Sequence, residues 1–184
     1  QSPTPTATPT APPPEIGTPV EPLGAQHIPS GEIFPGYNSV PPTSGPHWDR
    51  PAPCGVYDEE VPDERVVHNM EHGNVVISYN LAGAEDVQKL EAVVEDLPAI
   101  EMWGVARPYS KLEPGTVAMT AWGVLDSFEG VDEERIIEFY GVYAPDKRQH
   151  MDNHTEIDHD CEHGVSREAF RGLASGRGRG VFNG

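Results

Sequence analysis

The chain has 184 residues, of which 36% are hydrophobic, 20 are proline and 19 are glycine, enough for one small domain with appendages. Its 30 acidic and 12 basic side chains give a formal charge of −18, which repels nucleic acid and anionic membrane surfaces and argues against a nucleic-acid enzyme. No stretch reaches the roughly 18 consecutive apolar residues of a membrane-spanning helix.

Residues 1–23, QSPTPTATPTAPPPEIGTPVEPL, are dominated by Pro and Thr. Pro removes backbone donors and biases the chain toward extended polyproline II, so this part reads as a semi-rigid stalk whose threonines are candidate O-glycan acceptors. The sequence opens on Gln1 with no export segment in view, and the expectation is a mature chain whose signal or anchor lies upstream. The following stretch to Asp49 carries turn signals at Pro35-Gly36, Pro41-Pro42 and Ser44-Gly45-Pro46 and reads as loop.

Regular structure is predicted from Pro62 onward. Pro62 suits a first helical turn, Asp63 and Glu64 its positive end, and Gly73 the stop, giving a short helix over Pro62–His72. Val75–Tyr79 reads as a buried strand. Val87, Leu90, Val93, Val94 and Leu97 recur at helical spacing, so Ala84–Leu97 is an amphipathic helix. Ile100–Ala106 and Thr116–Leu125 read as two strands, and Asp132–Tyr143 as a second amphipathic helix stopped by Pro145. The fold class is α+β: a small mixed sheet, two or three helices and a long loop-rich N-terminal wrap, with a βαββα-like core. The domain spans residues 24–145. Residues 146–184 form a tail, His-rich over Lys147–Gly164 and Gly-rich over Ser175–Gly184, with a helical turn or two between at Arg167–Leu173.

Chemistry concentrates in the run His68-Asn69-Met70-Glu71-His72. His68 and His72 lie four apart on the predicted helix, so their imidazoles share a face and can converge on one ion. The alternative is a polar helix face with two surface histidines. The run also fits H-x-x-E-H, which in inverted zinc peptidases supplies two ligands and a general base. Such enzymes need a further acidic ligand and a large substrate chamber, and this short chain shows no second half to supply them. His27 and His47 sit in the preceding loops, where Pro and Gly turns can aim a side chain, and His47 is clamped between Pro46 and Trp48. Glu71 is open to three roles: a fourth ligand, a partner that fixes an imidazole tautomer, or a helix-surface charge. Tyr37, Tyr57 and Trp122 either line the site or fill the core.

The segments GAQHIPSG (Gly24–Gly31), YNSVPPTSGPHW (Tyr37–Trp48), GVYDEEVPDERVVHNMEHGNVVISY (Gly55–Tyr79) and TAWG (Thr120–Gly123) carry a resemblance to the bacterial family called domain of unknown function 3105. The resemblance spans about Gly24 to Tyr143. It implies extracytoplasmic placement behind a signal or membrane anchor, and places the family's hallmark histidines at His27, His47, His68 and His72 and its acidic residue at Glu71. Met70 and Met119 stand where Leu is more usual, and the His-rich stretch after Asp146 has no counterpart in it.

Imidazole without thiolate suits copper or zinc, with copper expected to bind tighter. His150, His154, His159 and His163 form a second candidate cluster in the tail. Cys161 lies among them, and a Cys54–Cys161 disulfide is the expectation for an exported chain, with thiolate ligation by Cys161 the alternative. Two functions compete, with a metal-dependent enzyme using Glu71 as its base a lesser third. One is a transition-metal-binding protein of the cell exterior. The other is a structural or interaction subunit of a surface assembly, filament or membrane complex, in which the histidines or a metal only staple the fold while stalk and tail dock onto a protein partner.

Overall fold

The structure, a computed structural model, describes residues 16–144. Its elements in chain order are β1 (Thr18–Pro19), β2 (His27–Ile28), β3 (His47–Trp48), β4 (Gly55–Val56), α1 (Asp63–Glu71), β5 (Val75–Asn80), α2 (Ala84–Glu95), α3 (Ile100–Trp103), β6 (Gly104–Pro108), β7 (Thr116–Ala121), β8 (Val124–Glu129) and α4 (Glu133–Tyr143). The architecture is α+β. A mixed sheet has the order β1-β8-β7-β5-β6-β4, and β2 and β3 form a separate two-stranded ribbon.

The centre of the sheet follows from the sequence of β5, VVISYN, whose first five residues are all buried. Successive side chains of a strand face opposite ways, so an unbroken apolar run is a strand covered on both faces. Val75, Ile77 and Tyr79 join a core made with Leu90, Val94, Ile136 and Phe139 of α2 and α4. Val76, between them, faces the other way into a second core with Val66, Val67 and Met70 of α1. The sheet therefore separates α2 and α4 on one face from α1 and the loops on the other. β5 runs parallel to β6 and antiparallel to β7, the parallel step being the crossover that α2 and α3 provide.

Two expectations are corrected. Ile100–Ala106 is not one strand: Ile100–Trp103 is a single helical turn and the strand starts at Gly104. Ile100 and Trp103, three apart, both enter the core, which helical spacing allows, and Gly104 lets the turn close on the sheet because a Cβ there would stand 1.9 Å from Ile100 Cδ1. Thr116–Leu125 is likewise two strands, β7 and β8, joined by a two-residue hairpin loop at Trp122-Gly123 with Ala121 opposite Val124. Gly123 takes φ 72°, the left-handed conformation such a loop requires.

Thr18 and Pro19, within the Pro/Thr-rich stretch, pair with Leu125 and Val124 of β8 as the edge strand β1, and Val20 N donates to Gly123 O at 2.8 Å. Tyr143 OH donates to Ile16 O at 2.9 Å, so the two ends of the described chain lie side by side. No helix among the described residues is long and apolar enough to cross a membrane.

Candidate metal centre

The loop residues that the sequence leaves unplaced are held by a short parallel ribbon. His27 of β2 lies opposite His47 of β3. In-register partners of adjacent strands present their side chains to the same face, so two imidazoles remote in sequence become neighbours, with centroids 5.0 Å apart. The ribbon is extended upstream by Leu23 N donating to Ser44 Oγ and Gly45 N to Gly24 O, both at 3.0 Å. Gly45 has φ 124°, and a Cβ there would meet the Tyr37 ring at 3.2 Å, so glycine alone fits comfortably. Tyr37 OH then donates to Pro46 O at 2.8 Å, closing the turn that aims His47.

Helix α1 brings the remaining groups. Its first turn is fixed by Asp63, 7% exposed, which takes Arg107 Nη2 at 2.7 Å, Lys111 Nζ at 2.8 Å and Tyr109 OH at 3.0 Å. Its middle is fixed by Asn69, whose amide oxygen accepts from Ala52 N and whose amide nitrogen donates to Ala52 O, each at 2.8 Å. His68 leaves the helix toward the ribbon and Glu71 follows one turn later on the same side.

The hydrogen bonds decide which imidazole nitrogens face the centre. His47 Nδ1 lies 2.8 Å from Gly45 O, and His68 Nδ1 lies 2.7 Å from Trp48 O. A carbonyl oxygen only accepts, so both Nδ1 atoms carry the proton and both Nε2 atoms of the neutral rings present a lone pair. His47 Nε2 stands 2.9 Å from Glu71 Oε2, and His27 Nε2 stands 3.8 Å from the same oxygen. His27, His47, His68 and Glu71 each offer one ligand atom, all within 4.8 Å of one another, a cluster positioned to chelate a transition-metal ion. Tetrahedral ligand atoms on one ion with bonds of about 2.1 Å stand about 3.4 Å apart, so a pair at the 4.8 Å limit closes by roughly an ångström on binding. His27, its side chain 52% exposed, has the room to move.

Burial grades the cluster. His47 is fully buried and His68 nearly so at 4%, whereas His27 and Glu71 face solvent. Burial pushes the His68 pKa below its ordinary value, with the Trp48 carbonyl hydrogen bond acting the other way and the neighbouring His72 and His47 reinforcing the depression. His68 is accordingly held as neutral imidazole, the form that binds metal.

His72, the C-cap of α1, is exposed. Its Nε2 stands 2.9 Å from His68 Nε2 and its ring stacks on that of His68 with centroids 4.7 Å apart. Glu71 rather than His72 completes the compact set of four. Of the aromatics, Trp122 sits edge-on to His47 at 6.3 Å, while Tyr37, Tyr57 and Trp122 all pack against the core beneath α1. A cleft of about 410 Å³ adjoins the ribbon, walled by Phe34, Trp48, Tyr109 and Lys111. No sequence signal marked it, because its walls come from four separate parts of the chain. The tail histidines His150, His154, His159 and His163, and Cys161, lie outside the described residues.

Compared with known proteins, residues 32–162 match the family described as "Protein of unknown function (DUF3105)". The match takes in His47, His68, Glu71 and His72 but starts after His27. It ends beyond Cys161, so it reaches into the His-rich stretch for which the resemblance offered no counterpart. No curated protein and no solved structure matches the chain.

Proposed function

The chain belongs to the DUF3105 family, and from that premise and the geometry of its histidines we propose that it binds one transition-metal ion through His27, His47, His68 and Glu71. The observation that carries the reading is the 2.9 Å approach of His47 Nε2 to Glu71 Oε2 while His47 Nδ1 is committed to a carbonyl. Two lone-pair carriers at that distance require a cation between them. A proton satisfies one such pair; a metal ion satisfies all four donors together.

Three imidazoles and a carboxylate, with no thiolate, suit Cu(II) or Zn(II), and the higher affinity of copper for nitrogen sites puts copper first. We place the protein outside the cytoplasm. The Pro/Thr-rich stretch supports this, as do Cys54 and Cys161, both inside the family match, which we pair as a disulfide. Buried Cys54, at 2% exposed, sits beside Asn74 Nδ2 at 3.2 Å.

Elemental analysis of the purified protein against a His47→Ala/His68→Ala variant tests the site. One copper or zinc per chain, absent from the variant, is the expected result. No uptake by either protein after incubation with both metals overturns it.

A second reading, a docking module whose histidines brace the fold, is favoured by one observation. Ile33 is 77% exposed on the rim of the cleft that Trp48 shares with the ribbon. In that case chelators leave the binding of a protein partner unchanged.

A further inference from the structure

His72 stands apart from the compact cluster yet touches it. Its Nε2 is 2.9 Å from His68 Nε2, as close as His47 Nε2 is to Glu71 Oε2. Two ligand atoms at that separation subtend about 90° at an ion with bonds of about 2.1 Å, an ordinary angle between neighbouring ligands. The His68 ring lies between two others, stacked on His27 at 5.2 Å and on His72 at 4.7 Å, with His47 edge-on at 5.1 Å. The donors thus run from exposed His72, through nearly buried His68, to fully buried His47.

We propose that His68 and His72 form an outer coordination position, a port through which a divalent copper or zinc ion passes on its way to and from the inner cluster. This rests on the metal-binding reading above. An aquated ion sheds its waters stepwise, and the i,i+4 pair of exposed His72 and nearly buried His68 replaces two of them before fully buried His47 is reached. His68 then stays bound while His72 is exchanged for His27, His47 and Glu71. The ion crosses to the inner cluster without being stripped of nitrogen ligands at any point, and the same steps in reverse release it. His72 therefore lowers the barrier in both directions and contributes little to the final affinity.

The kinetic signature separates a port from a permanent ligand. Loading and release of Cu(II) and Zn(II) are followed by stopped flow, with tryptophan fluorescence for copper and a chromophoric chelator for zinc. The full chain is compared with its His72→Ala and His72→Phe variants; Phe keeps an aromatic ring over His68 but offers no nitrogen. The series is repeated in a full-length background carrying His150→Ala, His154→Ala, His159→Ala and His163→Ala, so that only the described site reports. The expected result is that both variants slow association and dissociation together by about 10-fold or more while Kd stays within about 3-fold. A Kd weakened about 10-fold or more with association unchanged makes His72 a permanent ligand and overturns the port, as does a variant whose rates and affinity both match the parent. A parent chain that takes up neither ion sinks the underlying metal reading as well, and so is told apart from failure of the port alone.

Discussion

Glu71 lies three residues after His68 and one before His72, and the first of these spacings sets its role. Residues i and i+3 are neighbours on a helix surface, so the carboxylate that puts His68 in reach also meets His47 from the ribbon. Glu71→Gln keeps the shape and a hydrogen-bonding group but removes the charge. We expect it to weaken metal binding by about 10- to 100-fold in competition titrations with little change in thermal stability, the range typical for loss of a group that supports a metal site. Affinity equal to the parent would remove the carboxylate from the ligand set.

The depressed pKa of His68 also fixes the sign of a pH dependence. The folded chain holds this imidazole neutral below the pH at which the unfolded chain begins to protonate it. Its contribution to stability is thus complete above the ordinary value of 6.5, and shrinks as pH falls from there through the lower folded value. Urea titrations of the metal-free protein should show stability declining across that window, and the decline should be reduced in His68→Phe.

At the scale of elements, α1 is the part on which the site depends, and it is held by polar contacts at both ends of its buried face. Asn69 is fully buried and serves both backbone groups of Ala52. Asn69→Ala leaves that N–H and C=O without their partner, at about 1–3 kcal/mol for each unsatisfied group. The expected cost is about 2–6 kcal/mol, read from the denaturation midpoint, together with weaker metal binding because the segment carrying His47 and Trp48 loses one of its ties to the helix. A variant as stable as the parent would mean that the Ala52 contacts are replaced by water without penalty.

The same scale shows what was readable along the chain. α1 is legible from its first-turn proline and acids and its glycine stop, α2 from its apolar spacing, α4 from its amphipathic pattern and the proline after it, and β5 because its apolar run is unbroken. α3 and the β7–β8 hairpin are not. A four-residue turn carries too little periodicity to oppose the strand-like run IEMWGVA, and Trp122-Gly123 lacks the Asn-Gly or Asp-Gly signature of a tight hairpin.

For the whole molecule, two cores on opposite faces of one sheet form without calling on the candidate metal centre. The domain should therefore stay folded when the ion is removed, and bound metal should add stability only through mass action, about 2.7 kcal/mol at a free concentration 100-fold above Kd. Calorimetry with and without a chelator checks this. A raised melting temperature on loading, with a cooperative transition in both states, is expected; a chelated chain with no transition would make the ion a staple of the fold.

Sequence by itself determined the fold class, the helix that bears His68, Glu71 and His72, and the candidacy of His27 and His47, because residue type and local spacing carry that information. Only the tertiary structure decided how these groups meet. The His27–His47 register comes from a ribbon whose strands are about twenty residues apart in the chain, and the choice of Nε2 over Nδ1 comes from carbonyls of Gly45 and Trp48 placed by that ribbon and by α1. Hydrogen bonds between distant backbone segments have no periodicity of their own, and so leave no trace in a single sequence until the chain has closed on itself.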